Sequence, residues 1–179
     1  METTLRADCS RCAALCCVAL AFDRSKAFPF DKPAGTRCRH LGDGYACTIH
    51  SELSERGFSG CVYFDCLGAG QKVTAMFPGG PWRDDRTLKP MVIEAFARMR
   101  RIHELISLIV EAGRLPLTVP QVKQRRALLD ALEYEANRPL ETLRAFDRST
   151  LSLQVKTYLE SLRDAAREYA DGHNRANSG

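Results

Sequence analysis

The last 113 residues of this chain contain no cysteine, although the chain has eight. All of them fall between Cys9 and Cys66, and four crowd into Cys9-Ser-Arg-Cys12-Ala-Ala-Leu-Cys16-Cys17. Other things are missing too. No run approaches the ~18 apolar residues that a membrane span needs, so no membrane partner is expected. The N-terminus does not read as a signal peptide: Glu2 and Asp8 precede a short apolar patch that is itself full of cysteine. The expected location is therefore the cytoplasm, where thiols stay reduced and a cysteine cluster points to metal before disulfide.

Several functions are excluded in the same way. There is no His-Glu-x-x-His, no nucleophile elbow and no convincing carboxylate pair, so no residue is read as catalytic and no enzyme is expected. Gly68-Ala69-Gly70 lacks the Gly-Lys-Ser/Thr ending of a phosphate loop and reads as a structural turn. Net charge is only +4, and residues 1–66 carry eight side chains of each sign. Arg98, Arg100, Arg101, Arg125 and Arg126 read as solvated helix residues without interleaved aromatics, so no nucleic-acid partner is expected. There is one tryptophan, Trp82, expected to pack one half of the molecule against the other. No internal repeat is visible, least of all the five-residue Ala-(Asp/Asn)-Leu period of a pentapeptide solenoid.

What is present is an ordinary globular composition, 45% hydrophobic and 27% charged over 179 residues, long enough for a core. Asp8 is a reasonable N-cap for a helix over Ser10–Phe22. On such a helix Cys9, Cys12 and Cys16 would share one face, with Cys17 about 100° away. Residues 23–36 read as loop. Gly42-Asp43-Gly44 would fold Cys38 and Cys47 together as arms of a hairpin. A short helix is expected in 51–60, stopped at Gly57, and a short strand or extended arm over Cys61–Cys66. Residues 38–66 are expected to fold back over the first helix.

Thiolates are soft, strong ligands for Zn²⁺ and iron–sulfur clusters, and eight of them suit two four-coordinate sites. Cys9-x-x-Cys12 is a short chelating clip. Adjacent Cys16 and Cys17 diverge, so they could serve two ions or bridge a two-metal cluster. The candidate ligands are Cys9, Cys12, Cys16, Cys17, Cys38, Cys47, Cys61 and Cys66. His40 and His50 stand near cysteines and are alternates for a fourth position. His103 reads as an ordinary, partly buried histidine, and His173 belongs to the tail. The expected cofactor is Zn²⁺, with iron or an iron–sulfur cluster as the alternative.

Beyond residue 87 the pattern is helical. Val92, Phe96, Met99, Ile102, Ile106 and Ile109 recur at threes and fours from Leu88 to Ala112. Thr118 and Gln121 form a capping-box pattern for a helix to Ala136, with Val122, Leu128, Leu129 and Leu132 inward. Pro139 starts a short segment to Phe146. A last helix over Ser149–Ala170 would bury Leu151, Val155, Tyr158, Leu159, Leu162, Ala166 and Tyr169, stopping at Gly172.

The expected fold is thus mainly α: a small metal-stabilised, cysteine-rich N-terminal segment of short helices and loops, packed on a C-terminal antiparallel helical bundle. Its parts would be a metal-binding module over 1–73, a Gly/Pro linker over 74–87, the bundle over 88–172 and a flexible tail over 173–179. A protein partner or a second copy would dock through the helical part.

Cys9-x-x-Cys12-x-x-x-Cys16-Cys17, Cys38-x-His40-Leu, Cys47-x-Ile-His50 and Cys61…Cys66 resemble the bacterial CxxCxxxCC cysteine-cluster proteins described as zinc- or iron-chelating domains. The stretch through Asp65-Cys66-Leu-Gly-Ala-Gly-Gln71 is similar to the N-terminal part of some actinobacterial proteins labelled pentapeptide-repeat proteins. The resemblance covers roughly residues 8–73. It implies metal chelation by the matching cysteines, in a non-enzymatic structural, interaction or regulatory module. An iron–sulfur redox or catalytic protein is the alternative. With no pentapeptide period in the chain, no β-solenoid is expected.

Overall fold

The structure, a computed structural model, describes residues 5–77, 82, 84–139, 146 and 150–176, with side chains to 171. The fold is mainly α. Among the described residues there are seven α-helices, a few 3-10 turns, and isolated bridges in place of strands. They group into two compact units, one ending at His103 and the other beginning at Glu104, a division that falls within one long helix.

In the unit ending at His103 the elements are short: α1 (Leu15–Ala19), α2 (Ser59–Tyr63) and α3 (Ala69–Met76), with 3-10 turns at Cys9–Arg11 and His50–Glu52. Cys61 lies in α2, so the strand or extended arm expected over Cys61–Cys66 is corrected at its start to a helical turn, with extended chain from Phe64. The Cys61 and Val62 amides both donate to the Phe58 carbonyl, which closes the turn before a ladder can form. The glycines of 68–70 open α3, with Gly68 in the left-handed region at φ 81°. Residues 78–81, the proline- and glycine-rich part of the expected linker, lie outside the described residues. Trp82 is buried.

Asp85 caps the long helix α4 (Leu88–Glu111), accepting from the Thr87 and Leu88 amides at 2.7 and 2.8 Å. Val92, Phe96, Met99, Ile102, Ile106 and Ile109 are each 1% exposed or less, as their spacing predicts.

From Glu104 onward the chain continues into α5 (Val119–Ala136), α6 (Thr150–Ser161) and α7 (Arg163–Ala176). Thr118 and Gln121 form the capping box, with the Thr118 amide donating to Gln121 Oε1 at 2.8 Å. Leu128, Leu132 and Ala136 are buried, but Val122 is not. Six residues before Leu128, it stands about 120° around the helix from it. The single last helix is corrected to two. Ser161 Oγ donates to the Tyr158 carbonyl at 2.7 Å, competing with the helical ladder, and the chain turns at buried Leu162. Ala166 and Tyr169, past that turn, are exposed. Gly172 does not stop α7, which runs to Ala176. The expected segment from Pro139 to Phe146 lies largely outside the described residues, though Phe146 itself is buried.

Candidate metal centre

The expected helix over Ser10–Phe22 does not form as one piece, and its single face of three thiols is thereby corrected. Asp8 does cap, accepting from the Ser10 amide at 3.1 Å, but it caps only a 3-10 turn. Cys12 is then extended and Ala14 takes a left-handed φ of 53° before α1 begins. The break is held from outside, because the Ala13 amide donates to Thr74 Oγ1 on α3 at 3.0 Å. Cys9 and Cys12 therefore stand on a separate turn from Cys16 and Cys17.

That turn is bound to α3 by Gln71, whose Oε1 accepts from the Asp8 amide and whose Nε2 donates to the Arg6 carbonyl. Cys66 lies just ahead of α3. Gly70, in its first turn, is where the two approach: a Cβ there would stand 2.7 Å from Cys12 Sγ and 3.5 Å from Cys66 Sγ. A side chain there would crowd Cys12 Sγ, while Cys66 Sγ stands at ordinary contact distance. Cys9, Cys12 and Cys66 form the first neighbourhood.

A second gathers around α1. The Cys38 amide donates to the Cys17 carbonyl at 2.9 Å, which brings the later segment back over the helix as expected. Cys47 arrives through a hairpin-like pairing: Leu41 bridges Cys47, Gly42 N donates to Ala46 O, and Thr48 N donates to His40 O. In that turn it is Tyr45, not a glycine, that takes the left-handed conformation, at φ 62°. Cys61 comes in on α2, tied by the Gly60 amide to the Ala27 carbonyl.

The thiols act on one another along the same lines. Burial first, then Cys16 and Cys66, push the Cys9 thiol up; burial, Cys16 and Cys66 do the same to Cys12. Burial raises Cys61 to about 11, with further contributions from Cys16, Cys38 and Cys47, and Cys47 is raised by burial, Cys38 and Cys16. Cys16 belongs to both neighbourhoods. The interaction between the adjacent thiols holds Cys16 below the ordinary thiol range and Cys17 well above it, burial adding to the rise at Cys17.

All eight cysteines are free. Their donor chemistry fits a soft metal, and they are brought together as two neighbourhoods sharing Cys16. The side chains as they stand do not close on an ion: among the described residues no three His, Cys, Asp or Glu side chains are arranged to hold one. His40 stacks edge-on against Phe58, ring centroids 5.3 Å apart, and belongs to an aromatic cluster. His50 is exposed at the start of its 3-10 turn. The side chain of His173 lies outside the described residues.

Three features were not legible in the sequence. Phe22, Phe28, Phe30 and Phe58 pack with His40 into a miniature core, Phe22 and Phe28 stacked at 4.3 Å. The signal for it was present: three of these rings lie in the stretch read as loop or at its edge. His103 is fully buried rather than partly so, and its Nδ1–H donates to the Leu67 carbonyl at 2.6 Å, beside Cys66. Burial holds its ring below the ordinary histidine range. Finally, Lys32 is buried, its ammonium turned to the carbonyls around the second neighbourhood.

Backbone strain tracks the thiols. Among the described residues the non-glycine positions with positive φ are Ala14, Tyr45 and Leu67. Each lies within two residues of a cysteine, and each costs about 1–2 kcal/mol relative to an ordinary conformation.

No family model matches the chain, and no solved structure matches it. The chain is similar to the uncharacterized protein YybG of Bacillus subtilis (strain 168), 38% identical over 130 residues that cover 72% of this chain. It spans about half of that relative's length, 47%.

Proposed function

We propose that this chain is a metal-binding cysteine-cluster protein of the CxxCxxxCC type, taking zinc, or iron in its place, and acting as a non-enzymatic structural, interaction or regulatory module. Cys9, Cys12 and Cys66 would hold one ion and Cys17, Cys38, Cys47 and Cys61 the other, with Cys16 completing the first. The observation that carries this reading is that eight free thiols lie in one unit, where Gly70 lets Cys12 approach Cys66 and a backbone hydrogen bond joins the Cys38 and Cys17 stretches. Binding would draw the sulfurs of each inward and displace their protons.

Paired substitutions in the full chain test it. Replacing Cys12 and Cys66 by serine should remove about half of the bound zinc, and replacing Cys38 and Cys47 the other half. Equal zinc in all three proteins would sink the reading.

The position of Cys16 between the neighbourhoods favours a second reading, an iron–sulfur redox or catalytic protein in which one thiolate bridges a larger cluster. Visible absorption after anaerobic purification separates the two. No helix among the described residues is long and apolar enough to cross a membrane. We place the protein in the cytoplasm, where its thiols would stay reduced. Val119, Val122 and Tyr134 on α5 and Leu153 on α6 are exposed and would be available to a protein partner or a second copy.

A further inference from the structure

Lys32 is the buried cation of the described residues, only 4% exposed, and His103 is the other buried polar side chain there. Its backbone is fixed by a reciprocal pair of bonds: Phe22 N donates to Lys32 O at 3.0 Å and Lys32 N to Phe22 O at 2.7 Å. The ammonium donates to the Val18 carbonyl at 3.4 Å, the Pro33 carbonyl at 3.3 Å and the Thr36 carbonyl at 2.9 Å. Val18 follows Cys17 directly, and Thr36 precedes Cys38 by two residues. The lysine therefore spans the two stretches that the Cys38-to-Cys17 hydrogen bond already joins. Three carbonyls occupy its three protons, yet they leave its charge without a counter-ion, and among the described residues no carboxylate pairs with it.

A buried, unpaired ammonium is costly, and a protein relieves that cost with an anion or by losing the proton. The anions within electrostatic reach are thiolates: Cys38, Cys17, Cys16 and Cys61 all favour the charged lysine when ionised, against the effect of burial. A divalent ion held by four thiolates carries a net charge of about −2. Such an assembly in a dry setting needs a cation close by, as the lysine needs an anion.

We propose that Lys32 is the built-in counter-charge of the second thiolate group, a positioning residue that holds the Cys17 and Cys38 stretches together and offsets the negative charge of their metal complex. The inference rests on the metal-binding reading. It adds that the occupant of this group is an anionic, thiolate-rich complex. A neutral ligand set or a disulfide would have no use for the ammonium.

The test compares Lys32→Met, Lys32→Gln and Lys32→Arg in the full chain, titrating Zn²⁺ against a chromophoric chelator. Neighbours of metal ligands typically alter affinity about ten- to a hundredfold when removed. K32M and K32Q should each weaken zinc binding at the second thiolate group by that factor, while K32R, which keeps the charge, should stay within about threefold of wild type. If K32Q, which can still hydrogen-bond the carbonyls, binds zinc as wild type does, the lysine is a clamp and not a counter-charge, and the proposal falls. Should K32M fail to fold, the contrast between K32Q and K32R answers the same question. Zinc in the wild type with no contrast overturns the role of Lys32 alone. A wild type that takes up neither zinc nor iron overturns the metal reading and this inference with it.

Discussion

From Glu104 onward the buried side chains are Leu105, Ile106, Ile109, Leu128, Leu132, Val155, Tyr158 and their like, carried on helices of twelve residues or more. Up to Cys66 they are Leu15, Val18, Ala19, Leu41, Ile49 and Phe58, accompanied by Cys38 and Lys32, and the α-helices there have five residues each. Helices that short do not persist on their own, since nucleation alone outweighs what they gain. The later unit, like α4 before it, is held by periodic apolar stripes. The stretch up to Cys66 has instead a five-ring aromatic cluster, strained residues beside its cysteines and a buried charge, and on the proposed reading it would depend on a cross-link supplied by its thiols. Sequence periodicity builds the one, and chelation would build the other.

Metal removal should break this comparison open most widely. Structural zinc contributes on the order of 10 kcal/mol to small cysteine-rich folds. Stripping the full chain with a strong chelator should make amides in 9–20 and 38–66 exchange with solvent freely, while those of α5 stay protected. Protection that persists throughout would show that the aromatic cluster suffices without metal. The pH dependence has a definite sign. Cys9, Cys12, Cys17, Cys47 and Cys61 are all held above the ordinary thiol range, so the apo protein keeps them protonated at neutral pH. Zinc uptake in weak buffer should release protons, and affinity should fall as pH falls.

Leu132→Ala strikes the other unit. Leu132 is fully buried, so its truncation should cost about 2–5 kcal/mol in a denaturant melt. Metal content should be unchanged; loss of zinc in this variant would contradict a separate basis for the two units.

Gly70→Ala sets two effects against each other. Alanine in a helix is favoured over glycine by about 1 kcal/mol. Its methyl group, however, would collide with Cys12 Sγ at 2.7 Å. The expected outcome is about tenfold weaker zinc retention, roughly 1.4 kcal/mol, and a gain in retention would show that Cys12 is not a ligand. The smallest effect is expected for Ala14→Gly, which relieves a left-handed alanine and should stabilise the chain by up to about 1 kcal/mol.

The helical half was legible because burial there follows spacing: the stripe of α4 and the Thr118–Gln121 box are both local patterns. Where a side chain cut into a ladder, as Ser161 does, the pattern continued through a break that only the hydrogen bond reveals. In the cysteine-rich half the identities of the candidate ligands could be read from composition, but not their geometry. The Ser10–Phe22 helix failed because Thr74, some sixty residues away, captures the Ala13 amide, a long-range bond that outweighs helix propensity. Cys61–Cys66 alternates like a strand, yet among the described residues no strand pairs with it, and it closes as a turn instead. Lys32 and His103 gave no signal in sequence, since what marks them is burial.

The most direct test is elemental analysis of the full chain, purified anaerobically, together with its absorption spectrum. The account predicts a soft metal filling both thiolate groups: two zinc ions per chain in colourless protein, or iron with visible thiolate-to-metal absorption. Protein that carries no metal, takes up neither zinc nor iron, and keeps residues 9–66 folded in a strong chelator would contradict it.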